Sequence, residues 1–121
     1  MKLNHDCVRD TLLYLEENLK LDDSLNCFQI SIPKYNSEDI VYTIQKLSDG
    51  NLINVIDCST LGGYSCIITS LTFKGHEYLD NIRDSKVWKQ TKSIISKIAS
   101  VSLDVTSKVA AQVVSNILTG G

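Results

Sequence analysis

The chain has a single proline, Pro33, and six glycines in 121 residues, too few for a Pro- or Gly-rich linker between domains. No run approaches the roughly 18 to 20 consecutive apolar residues that span a bilayer. The opening residues Met1-Lys2-Leu3-Asn4-His5-Asp6 lack the apolar segment of a secretory signal. A cytoplasmic protein with no membrane-embedded part is the expectation. Metal ligands are scarce: His5 and His76 stand at no zinc-ligand spacing, and Cys7, Cys27, Cys58 and Cys66 form no CxxC pair. The thiols read as small buried hydrophobes, and neither metal nor cofactor is expected. No base–nucleophile pair and no glycine-rich phosphate loop is recognisable, which points away from an enzyme.

What is present is an ordinary globular composition, 43% hydrophobic and 21% charged, which argues against disorder except at the extreme termini and fits one core with an appendage. The net charge of −2 hides an asymmetry. Residues 1–72 carry five Lys/Arg against ten Asp/Glu, and residues 73–121 carry seven against four. Any basic face is therefore C-terminal.

Apolar residues Val8, Leu12, Leu15 and Leu19 fall at helical spacing, with Asn4 as N-cap and Asp6 in the first turn, which predicts a helix over residues 4–19. Phe28, Ile30 and Ile32 alternate with polar residues before Pro33 and predict a short strand over 27–32. Asn36 and Ser37 precede a stripe of Ile40, Val41, Ile44 and Leu47, a helix over Ser37–Asp49 that stops at Gly50. Two strands, 51–58 and 64–71, flank a turn centred on Gly62 or on Gly62-Gly63. Thr72 caps a helix through Asp80, Asp84 or Ser85 caps another through Ile98, and Ser102 opens a last one reaching Ile117.

The order helix, strand, helix, hairpin, helices predicts an α+β fold: a winged-helix-like domain over residues 1–82 with a C-terminal helical extension over 83–121. A winged helix normally has one more helix before the groove-facing one, and here that interval reads as strand.

The block Leu71-Thr72-Phe73-Lys74-Gly75-His76-Glu77-Tyr78-Leu79-Asp80-Asn81-Ile82-Arg83-Asp84, continuing to Val87-Trp88-Lys89-Gln90-Thr91-Lys92, resembles the domain of unknown function 2513 family of small bacterial and prophage proteins. The helix from Tyr35 to Leu47 is similar to that family's Y-[ST]-E-E-[IV]-x-Y-H-x-x-x-L segment. Phe73 replaces the family's usual Trp, and Thr43 stands where His is common. The resemblance implies a winged-helix-like fold and an association with prophage or mobile elements of Gram-positive bacteria. It brings no catalytic activity and no ligand with it.

Two surfaces are candidates for nucleic-acid binding. If the Ser37–Asp49 helix enters a major groove, Asn36, Ser37, Tyr42, Thr43, Gln45 and Lys46 are the base-contacting candidates. Glu38, Asp39 and the wing residue Asp57 oppose that reading, because a phosphate-facing surface is normally basic. Arg83, Lys86, Lys89, Lys92 and Lys97, spaced by threes and a five, form the other candidate; its simpler reading is a solvated face with Trp88 buried. His76 is expected to hold a structural hydrogen bond, for instance with Asp80, and Gly75 to permit close approach of the wing. Cys58 and Cys66 lie opposite each other only if the turn pivots on Gly62, and a reducing cytosol argues against their disulfide. The last helix, rich in Ala and Val, suggests a homodimer. These features point to a DNA-associated regulatory or accessory protein, with a protein–protein interaction module on the same scaffold as the rival reading.

Overall fold

The structure, a computed structural model, describes residues 2–120 and divides into two compact units, Met1–His76 and Glu77–Gly121. The fold is α+β, with five α-helices and a three-stranded antiparallel sheet among the described residues. The division falls inside a helix, upstream of the expected boundary at residue 82.

In the first unit, α1 (His5–Asn18) starts where Asn4 accepts a hydrogen bond from the Cys7 amide at 3.1 Å, satisfying one of the four free amides of a helix start. It buries Cys7, Val8, Thr11, Leu12 and Leu15 against α2 (Ser37–Asp49), which answers with Ile40, Thr43, Ile44 and Leu47. Each fully buried Leu or Ile is worth about 1.5–3 kcal/mol. Asn36 caps α2 through the Asp39 amide at 2.8 Å. At its other end the left-handed residue is Asn51 (φ 62), whereas Gly50 keeps φ −83.

The segment expected as a strand over 27–32 differs. A two-residue β1 (Leu25–Asn26) gives way at once to a 3-10 turn over Cys27–Gln29. The reason is local: the Asn26 side chain accepts from the Phe28 amide at 2.9 Å, and Gln29 Oε1 accepts from the Asn26 amide at 2.7 Å. This capping box satisfies the backbone within the turn, so the ladder to a neighbouring strand is not continued. Phe28, expected to alternate into the core, is left 58% exposed.

The hairpin consists of β2 (Ile53–Asp57) and β3 (Cys66–Leu71), with sheet order β1-β3-β2. Thr60 pairs with Gly63 around a Leu61-Gly62 tip, and Gly63 takes φ 135. The turn is thus centred one residue earlier than a Gly62-Gly63 turn. Asp57 faces Cys66, and the Cys58 amide donates to the Ser65 carbonyl at 2.8 Å. Because side chains alternate faces along a strand, Cys58 and Cys66 point to opposite sides, and the Cys58–Cys66 pairing of a turn pivoting on Gly62 does not form.

Thr72 caps α3 (Phe73–Ile82) by accepting from the Gly75 amide at 2.9 Å, while its hydroxyl donates to the Asn51 carbonyl at 2.7 Å. The second unit holds α4 (Ser85–Ile95), capped by Asp84 through the amides of Lys86 and Val87, and α5 (Leu103–Leu118), capped by Ser102. The two pack through Val87, Trp88, Thr91 and Ile95 on one side and Thr106, Ala110 and Val113 on the other. Helix α4 ends three residues short of Ile98, its last turn tightening to i→i+3 bonds from Lys97 to Ile94 and from Ile98 to Ile95. Buried Thr43, Thr91 and Thr106 each donate to the carbonyl four residues earlier, at 2.8 to 2.9 Å, so their hydroxyls need no outside partner.

Gly75 sits against the Leu52 backbone: a Cβ there would lie far inside van der Waals contact with the Leu52 carbonyl oxygen and 3.0 Å from its carbon. Gly75→Ala is therefore expected to destabilise the protein by about 2–3 kcal/mol or more, since backbone rather than a flexible side chain must move. Urea unfolding followed by circular dichroism measures it.

Candidate functional site

The groove-facing candidates on α2 do not act as one set. Thr43 is 2% exposed, donates to the Asp39 carbonyl and contacts Cys7 Sγ at 3.3 Å, so its side chain faces the core and not the outer face of α2. Asn36 is engaged as the cap. Lys46 lies 3.5 Å from Asp49 Oδ2 and 5.4 Å from the centroid of the Tyr42 ring, which neutralises the one cation of the helix. Glu38 and Asp39 stand in the first turn, where the helix dipole favours them. No ion pair neutralises either among the described residues.

Glu38, Val41, Tyr42 and Gln45 follow i, i+3, i+4, i+7 spacing and so share one face of α2. With Ser37 and the displaced Phe28 they line a shallow cleft of about 450 Å³. Sequence reading missed Phe28 and Val41 as surface residues; the Asn26-x-x-Gln29 capping-box spacing was the available signal. Gln45 belongs to the cleft, and Lys46 sits beside it.

The hairpin turn is no more suited to phosphates. Leu61 is fully exposed at its tip, and Asp57 is held below the usual carboxylate range by hydrogen bonds from Ser59. Residues 57–64 contain no Lys or Arg.

The basic residues of the second unit are all exposed but are split by the fold. Arg83 precedes the α4 cap and pairs with Asp80 at 3.1 Å, and Lys97 follows the helix end. Only Lys86, Lys89 and Lys92 lie on α4, so the expected common face is reduced to these. Lys92 Nζ stands 5.9 Å from the ring centroid of buried Trp88, while Lys86 and Lys89 have no carboxylate partner among the described residues.

His76 is exposed at a second cleft, of about 240 Å³, with Glu16, Leu19, Leu21, Thr69 and Leu71. Among the described residues the expected bond to Asp80 is not formed; Asp80 Oδ1 accepts from Arg83 instead. Among the described residues no group of His, Cys, Asp or Glu is arranged to hold a metal ion, and no helix is long and apolar enough to cross a membrane.

Three cysteines are buried as expected, but Cys58 is exposed. Burial pushes the Cys66 thiol up, and the thiol contacts Cys27 and the Tyr64 hydroxyl. Tyr35 is raised by burial and by Asp10, whose carboxylate accepts from its hydroxyl at 2.7 Å. That bond ties the approach to α2 onto α1.

These elements define a small α+β protein with a sheet-bearing N-terminal unit and a helical C-terminal unit. The family model described as Hypothetical protein (DUF2513) matches residues 2–102, and the chain belongs to that family. A Haemophilus influenzae protein with the name "Uncharacterized protein" is 38% identical over 119 residues, covering 98% of this chain and 99% of that one. The family model ends at the cap of α5, and the Haemophilus relative extends across it. No solved structure matches the chain.

Iodoacetamide added to the folded protein is expected to give one adduct per chain, on Cys58, with Cys7, Cys27 and Cys66 reacting only in denaturant. Peptide mass spectrometry reads the positions.

Proposed function

We propose that this chain is a non-catalytic, cytoplasmic regulatory or accessory protein on a winged-helix-type frame, and that its N-terminal unit acts by contact with another protein rather than by reading DNA. The frame is supported by the order α1, β1, 3-10 turn, α2, β2, β3 with β1 beside β3. The 3-10 turn over Cys27–Gln29 stands where a helix-turn-helix has its first helix. The observation that carries the functional reading is the outer face of α2. It presents Glu38 and Asp39, which have no cation partner among the described residues, and a cleft with an exposed aromatic ring where a DNA reader needs positive charge. Fold alone does not choose between the two.

A second reading, DNA association through the C-terminal unit, is favoured by Lys86, Lys89 and Lys92 on the solvent side of α4. Fluorescence anisotropy with generic duplex DNA separates the readings. Under the protein-contact reading no salt-sensitive binding is found at micromolar protein. Binding that falls steeply between 50 and 200 mM salt, typical of phosphate contacts, and that Lys86→Glu with Lys89→Glu abolishes, establishes the second reading instead.

The apolar arc of α5 is wider than its buried stripe. Val105, Ile117 and Leu118 are exposed beyond Thr106, Ala110 and Val113, which supports pairing of two chains through this helix. Light scattering after gel filtration is expected to give a dimer mass, with Val105→Glu and Ile117→Glu each shifting it to monomer. A monomer mass for the unaltered chain at all concentrations rules the pairing out.

A further inference from the structure

We infer that the α2 cleft takes a basic amphipathic helix of a partner protein, its apolar side against Phe28, Val41 and Tyr42 and its Lys or Arg residues against Glu38 and Asp39. The inference rests on the protein-contact reading and names the chemistry of the partner. Helix α2 offers Glu38, Val41, Tyr42 and Gln45 as one continuous stripe, the surface on which a second helix packs ridge into groove. Phe28 stands at its flank, 58% exposed, in the turn that the Asn26–Gln29 capping box fixes. Exposed aromatic anchors of this kind dominate binding energy once a partner removes them from water.

Charge decides the partner's sign. The first unit carries six Lys/Arg and ten Asp/Glu, and the imbalance persists locally: Glu38 lines the cleft and Asp39 follows it on α2, neither in an ion pair among the described residues, while Lys46, beside the cleft, is already held by Asp49. An anionic segment, a phosphate backbone or an anionic lipid surface meets like charge there, whereas a basic segment gains charge complementarity and orientation along α2.

The test uses the full chain and two fluorescein-labelled helical peptides with identical Leu positions, one carrying Lys and one Glu on the polar side. The Lys peptide is expected to bind at micromolar concentration and the Glu peptide at least tenfold more weakly. Phe28→Ala should weaken the Lys peptide about tenfold with an unchanged unfolding midpoint, because Phe28 is exposed. Glu38→Lys with Asp39→Lys should reverse the preference. The amide resonances of residues 38–45 should shift on titration.

Absence of Lys-peptide binding, or binding indifferent to Phe28 and Glu38, overturns the inference. Equal binding of both peptides overturns the basic assignment and leaves the protein-contact reading standing. Displacement of the bound peptide by duplex DNA defeats that reading as well. Self-association of the free chain that Phe28→Ala abolishes makes a second copy the occupant and overturns the inference.

Discussion

The backbone of Leu52 is the point on which the first unit depends. Its amide donates to the Leu47 carbonyl at 2.9 Å, closing α2, and its carbonyl accepts from the Thr72 amide at 3.1 Å, opening α3. Thr72 reaches back to Asn51 through its hydroxyl, and Lys74 Nζ to the Gly50 carbonyl at 3.3 Å. The corner that ends α2 is thus fastened to the corner that ends the hairpin, and Gly75 is the residue small enough to let the two backbones meet. The direction in which α2 presents its outer face follows from this junction.

That face owes its character to an exchange of one local structure for another. The strand expected over residues 27–32 alternates Phe28 inward with Ile30 and Ile32; the capping box instead stops the strand after two residues and leaves the aromatic ring beside Val41 and Tyr42. Hydrogen bonds costing only two side chains of conformational freedom thereby create an exposed apolar cleft, a feature that water disfavours and a partner relieves.

Charge is distributed to match. Carboxylates gather on the sheet-bearing unit and lysines on α4, so the chain has an anionic and a cationic surface rather than a neutral one. Lys46, the one cation of α2, is held by Asp49, while Lys86 and Lys89 have no carboxylate partner among the described residues. Membership of the family and the Haemophilus relative describe the chain's kinship; the chemistry of its contacts comes from these surfaces.

The helices were legible in the sequence because their signals are local. Asn4, Asn36, Asp84 and Ser102 cap within four residues of the amides they satisfy, and a 3.6-residue stripe needs no distant partner to be read. That Gly75 permits a close approach was legible too, though the backbone it meets is that of Leu52, just before the hairpin. What only the tertiary structure decided are matters of register and competition. The hairpin turn fell on Leu61-Gly62, which sent Cys58 to solvent. Thr43 was drawn into the core beside Cys7, out of the candidate site. The basic run, continuous in sequence, was cut by the Asp84 cap and the end of α4. Strand pairing and helix ends depend on which of several near-equal local hydrogen bonds the packed chain retains, and one residue of register moves every side chain to the other face.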